Sequence, residues 1–208
     1  MTCASFLYLK KERLLISRTH NEKQRQQKAK KILDAARQVF YRKGFLAATM
    51  QDIIDECGIS RGGIYLYFAS IDEVFLEVMK QRNKETITGR ESFADVLSAY
   101  FRRQKRRLLC FENSLFRAYC EYIFSKPKPD VEAFRDMQLG HLRKSVTSIL
   151  MLGVEQNVIR DENISQLADH FIIAIDGLSV LALAEALTEE IIDAQFDILM
   201  KLVDNLRE

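Results

Sequence analysis

"TMQDIIDECGISRGGIYLYF", Thr49 to Phe68, sets two apolar helical patterns on either side of a glycine, and how it folds decides the fold. Met50, Ile53, Ile54 and Cys57 recur at i, i+3, i+4, i+7, which places them on one helix face. Thr49 stands where an N-cap belongs, with Asp52 three positions on as its capping-box partner. Gly58 closes this helix, and Ser60 is placed to cap a further short helix expected to reach about Phe68. Helix, Gly-containing turn and short helix make a helix-turn-helix pattern. In that arrangement the second helix enters the major groove of DNA while the first crosses the backbone. Gly62 and Gly63 sit in that second helix, where each costs about 0.8–1.0 kcal/mol relative to Ala. Two missing side chains would let the backbone come close to phosphates or base edges.

Upstream, Ile32, Ala35, Ala36, Val39 and Phe40 mark the apolar face of a helix starting near Lys23, and Gly44 suits its left-handed end. Residues 1–22 have no clean period and read as a mobile arm. Downstream, Ser70 with Glu73 opens a helix over Asp72–Ile87, followed by helices over Ser92–Phe111 and Ser114–Phe124. Asp130 is placed to cap a long helix reaching Gln156, with Asn157 in the role usually given to Gly. Asn163 with Gln166 reads as the next capping box, and Thr188 as the cap of the last helix. No segment alternates as a strand does, and the scarcity of proline and glycine agrees. The expected fold is all-α with about nine helices: a helix-turn-helix domain at 23–71 and a larger helical domain at 72–208.

The net charge of +2 hides an asymmetry. Residues 1–44 hold 12 Lys/Arg against 3 Asp/Glu, whereas the other 164 hold 19 against 26. A basic end on an acidic chain points to a polyanionic partner for that end. The four cysteines lack CxxC spacing, and the longest apolar stretch, Phe171–Ala184, has 14 residues and contains Asp176. Neither a disulfide framework nor a membrane span is expected, and the chain reads as cytoplasmic. His20, His141 and His170 fall in no metal-binding spacing, and there is no P-loop or GxGxxG. No metal, cofactor or enzymatic activity is expected.

The block from Ile32 to Met79, with "FYRKGF", "TMQDI", "CGIS" and "YLYF", resembles the DNA-binding domain of the tetracycline-repressor (TetR/AcrR) family of transcription regulators. The resemblance implies a homodimer on a palindromic double-stranded operator, released by a small-molecule inducer, with repression as the mode. It places Lys28, Thr49, Ser60, Arg61, Gly62, Gly63, Tyr65, Leu66 and Tyr67 at the DNA. Thr49 and Ser60 are helix caps on any reading, and Arg61 suits either guanine O6/N7 or a phosphate. The sequence departs from the family at Gly63, where Ser or Thr is common, and at Ile71, where Lys is common. Arg18, Lys23, Arg25, Lys28, Lys30 and Lys31 are available to compensate.

In the C-terminal half the resemblance implies an inducer cavity, for which Phe101, Tyr119, Tyr122, Met137, His141, Phe171 and Asp176 are the candidates. Three roles are open to Asp176: meeting a cationic inducer, capping a polar network, or lying near the dimer axis. Ile192, Phe196, Leu199, Val203 and Leu206 repeat in a heptad-like 4-3-4-3 spacing. Together with Leu178 and Leu181 they are the expected dimer interface. Oxidation at Cys110 or Cys120 is an alternative trigger to a ligand.

Overall fold

The computed structural model describes residues 3–81 and 91–207, with side chains from Glu22 onward and Asn113 excepted. Among these residues the chain forms nine α-helices, one 3-10 turn (Phe111–Asn113) and no strand. The helices are α1 (Cys3–Lys43), α2 (Met50–Cys57), α3 (Arg61–Tyr65), α4 (Ile71–Gln81) and α5 (Phe93–Leu109). They continue with α6 (Phe116–Ser125), α7 (Lys128–Glu155), α8 (Ile164–Leu183) and α9 (Glu189–Asp204). The all-α expectation holds.

The N-terminal end differs from expectation. Helix α1 is continuous from Cys3, so the stretch read as a mobile arm is helical. The physical reason is the absence of any Gly or Pro before Gly44: nothing breaks the helix even where no apolar period announces it. Gly44 ends α1 at φ +73, as its position suggested.

The chain divides into two compact units: Met1–Phe40 with Ala47–Lys80, and Tyr41–Leu46 with Gln81–Glu208. The core of the first is built from Ile32, Ala36, Val39 and Phe40 of α1, Ile53 and Ile54 of α2, Ile64 of α3, and Phe68. Helix α4 adds Val74, Phe75, Val78 and Met79, all buried, and Phe75 meets Phe40 edge-on at 5.1 Å between ring centroids. Each such side chain contributes about 1.5–3 kcal/mol when fully buried. This moves the boundary expected at 71/72 to the end of α4, because that helix supplies a wall of the first core. The expected continuation of α4 to Ile87 lies outside the described residues.

In the second unit α5, α7, α8 and α9 enclose one apolar core, with Phe93, Leu97, Leu150, Phe171, Ile192 and Leu199 almost wholly buried. The Gln156 side chain fastens the start of α5, accepting from the Phe93 amide at 2.8 Å and donating to the Glu91 carbonyl at 3.0 Å. Two expected caps are corrected. Asn163 has φ 53 and makes no side-chain cap bond, and α7 starts at Lys128 behind Pro127, not at Asp130. A proline in a first turn forfeits no hydrogen bond, so Pro129 is tolerated there. By length and composition α8 could cross a bilayer, yet its Leu167, Ala168, Phe171, Ile172, Ile175 and Leu178 are packed in this core.

Candidate nucleic-acid interface

Local chemistry fixes α2 and α3 in the first unit. Thr49 Oγ1 accepts from the Asp52 amide at 3.1 Å, and Asp52 Oδ2 accepts from the Thr49 amide at 3.0 Å, which closes the capping box. The Thr49 hydroxyl also donates to Asp52 at 2.8 Å. Gly58 turns the chain at φ 65, a region where a Cβ is penalised, and its amide donates to the Ile54 carbonyl at 2.9 Å. Ser60 Oγ then accepts from the Gly63 amide at 3.2 Å and starts α3. Helix α3 is shorter than expected, stopping at Tyr65. The amides of Tyr67 and Phe68 both fold back on the Ile64 carbonyl, at 2.9 and 3.1 Å.

This geometry sorts the candidate residues. Ile64 and Phe68 are buried, whereas Ser60, Arg61, Gly62, Tyr65 and Leu66 are exposed and Gly63 and Tyr67 half-buried. Leu66 is 75% exposed, a large apolar side chain offered to solvent at the end of α3. Arg61 has no ion-pair partner among the described residues. Lys28, on α1, lines an open groove of about 460 Å³ together with Gln24, Arg25, Leu66 and Tyr67. Arg25 had been noted only as one basic residue among several, and Gln24 had no sequence signal at all. The side chain of Arg18 lies outside those described.

The two glycines differ in their surroundings. A Cβ at Gly63 would come within 2.9 Å of Ile59 Cγ1 and 3.0 Å of Ser60 Oγ, so packing around the cap constrains this position. A Ser at 63, the residue type common there in the family, has to displace Ile59. A Cβ at Gly62 meets nothing within 4 Å.

In the second unit the inducer candidates fall into two groups. Phe101 and Phe171 are buried together, 5.5 Å between ring centroids, and Phe101 also meets Phe196 at 4.9 Å. Tyr119 and Tyr122 flank Phe134 at 6.0 and 5.4 Å. Met137 and Asp176 are half-buried, whereas His141 is exposed and lines no interior surface. On α7 Phe134 and Gln138 are buried, whereas His141, although seven positions after Phe134 and on the same side of the helix, is exposed. The Asp176 carboxylate is close enough to Cys120 to help push its thiol up to about 11, after the larger effect of burial.

The dimer candidates need the clearest correction. Ile192, Phe196, Leu199 and Val203 are turned into the protomer's own core, Ile192 and Val203 at 0% exposure, and Leu178 joins them. A heptad-like spacing identifies which face of a helix is buried but not what buries it. Leu181 remains at the surface, with Ile173, Val180 and Leu183 on α8 and Ile191 and Ile198 on α9.

Residues 32–78 match the family of bacterial regulatory proteins named for tetR. The HTH-type transcriptional regulator YfiR of Bacillus subtilis is 43% identical over 65 residues, 31% of this chain and 30% of that protein. That match therefore spans less than a third of the relative's length. An HTH-type transcriptional regulator from the lacX 3' region of Lactococcus lactis is 24% identical over 193 residues, covering 86% of this chain and 94% of that one. Among solved structures, a TetR-family regulator from Agrobacterium tumefaciens aligns over 88% of this chain and 99% of its own, with a TM-score of 0.65 at 19% identity. At that identity the likeness speaks for the fold.

Proposed function

We propose that the chain, whose residues 32–78 match the tetR family of bacterial regulatory proteins, is a homodimeric repressor of that family. A small molecule releases it from a palindromic operator. The observation that carries the reading is the outer surface of α3. Arg61, Gly62 and Tyr65 of α3, and Leu66 at its end, are presented outward, while Ile64, Phe68 and the Ser60 cap anchor the segment. Nothing in the free unit uses the space at Gly62, so the helix propensity lost there has its return outside the protein. Arg61 reads a guanine edge or holds a phosphate.

The partner protomer covers the apolar stripe Ile173, Gly177, Val180, Leu181 on α8 and Ile191, Ile198 on α9. Their i, i+4, i+7, i+8 and i, i+7 spacings keep each set on one side of its helix. The inducer enters the second unit among Tyr119, Tyr122 and Phe134 and shifts the population away from the half-site spacing that fits DNA. Anisotropy titration against a duplex from the region upstream of the protein's own gene, beside a scrambled duplex of equal length, tests the regulator reading. Preference for the upstream duplex is expected, and Arg61→Ala should cost about 1–3 kcal/mol of it if Arg61 reads a base. Equal binding to both duplexes would remove specific regulation of its own promoter.

A further inference from the structure

The buried stripe of α1, Ile32, Ala35, Ala36 and Val39, continues backward along the same helix face as Arg25 and Lys28. An apolar face that turns cationic has left the core and meets something else. The backbone from Glu22 to Lys31 carries five cations and one anion, and Glu22 to Lys28 are all exposed. Several other cations among the described residues are neutralised locally: Arg37, Lys80, Lys105 and Arg143 each sit against a carboxylate. Arg25 and Lys28 have no such partner among the described residues. Opposite them stand Leu66 and Tyr67, the residues that end the recognition segment, and the two sets wall one open groove.

We propose that this groove holds one sugar-phosphate strand of double-stranded DNA, with Arg25 and Lys28 on successive phosphates and Leu66 and Tyr67 against the deoxyribose between them. The inference rests on the DNA-binding reading and adds a second contact element to it, carried by α1. Its chemistry is independent of base sequence: two cations release two condensed counterions, and the apolar wall excludes water from the sugar. Gln24, at the groove's edge, is a hydrogen-bond donor to the same strand.

Salt dependence on a short non-specific duplex tests it. Each phosphate neutralised adds about 0.9 to the slope of log K against log salt. Arg25→Ala with Lys28→Ala should therefore flatten the slope by nearly two such increments, while Lys30→Ala with Lys31→Ala, on the same helix but outside the groove, leaves it unchanged. Leu66→Ala should weaken binding at every salt concentration without changing the slope, whereas Tyr67→Phe, which keeps the ring against the sugar, should leave both unchanged. Inorganic phosphate at matched ionic strength should not compete, because a free anion lacks the sugar. Equal flattening by both double variants would mean diffuse attraction by a basic helix, and flattening by neither would leave the groove empty; either overturns the proposal. Competition by inorganic phosphate would make it a small-anion site and overturn it as well. If wild type binds no duplex at all, the DNA reading falls with it. All substituted side chains except Tyr67 are exposed, and unchanged thermal unfolding confirms that the variants fold.

Discussion

Glu121 Oε2 lies 2.6 Å from the amide nitrogen of Phe45, a bond spanning 76 positions of chain. The same oxygen accepts from the Leu46 amide at 2.9 Å, and the other carboxylate oxygen holds Arg117 at 2.8 Å. The Phe45 ring meets Tyr122 edge-on at 4.9 Å, with the Lys126 ammonium 5.5 Å from its centroid. A Cβ at Gly44 would fall against this carboxylate, so the glycine serves both the left-handed turn and its clamp.

Burial works to raise the Glu121 carboxyl, but the Leu46 amide, the Arg117 guanidinium and the Phe45 amide outweigh it and hold it below the usual range. Stability from a depressed carboxylate is complete above the unfolded value of about 4.3 and is lost as pH falls through the lower folded value. Glu121→Gln should cost about 1.5–3 kcal/mol at neutral pH, typical of hydrogen bonds to a charged group. It should also remove part of the acid limb of thermal stability below that unfolded value. Identical acid limbs in the two proteins would show that the carboxylate is not linked to folding.

The two recognition-helix glycines should respond oppositely to alanine. Gly62→Ala is expected to raise stability by about 0.8–1.0 kcal/mol, the helix-propensity difference, because its Cβ enters open space. It should weaken DNA binding at the same time. Gly63→Ala gains less or loses stability, since its Cβ presses on Ile59. Unfolding curves paired with anisotropy decide this, and undiminished DNA affinity in Gly62→Ala would rule out close backbone approach at that position.

Charge placed on α8 and α9 separates the two apolar faces. Ile173→Glu with Ile198→Glu, at 68% and 46% exposure, should give a folded monomer by light scattering. Ile192→Glu, in a site with no exposure, should unfold the protomer, because an isolated buried carboxylate is strongly penalised. A dimer that survives the first pair would place the interface elsewhere.

Thiol labelling should discriminate the two downstream cysteines. Burial first, then the carboxylates of Asp176 and Glu121, push the Cys120 thiol up to about 11, which leaves little thiolate at neutral pH. Cys110 is exposed at the end of α5. A maleimide at neutral pH is expected to modify Cys110 well ahead of Cys120, and Asp176→Asn should narrow the gap. Faster reaction at Cys120 would revive it as an oxidation trigger.

Features set by near neighbours in the chain were legible in the sequence. The Thr49–Asp52 box, the Ser60 and Thr188 caps, and the left-handed Gly44, Gly58 and Asn157 all depend on residues within a few positions. Helix α1 before Lys23 was missed because propensity alone, with no apolar stripe, sustains it. The Asn163 cap failed because its left-handed backbone turns the side chain away from the helix start. The Glu121 clamp and the Arg25–Leu66 groove join residues far apart in sequence, for which no local spacing is a signal. For Ile192, Phe196, Leu199 and Val203 the period correctly marked burial, but the same period serves an internal core and a protein interface.

Because Tyr41–Leu46 packs in the second unit while the residues on either side belong to the first, neither unit is a contiguous piece of the gene. A fragment ending at Lys80 would carry this turn with the Phe45 ring uncovered and two amides returned to water. Domain swaps between relatives therefore have to exchange α6 residues Glu121 and Tyr122 along with the recognition half, or the graft will bring a loop without its socket.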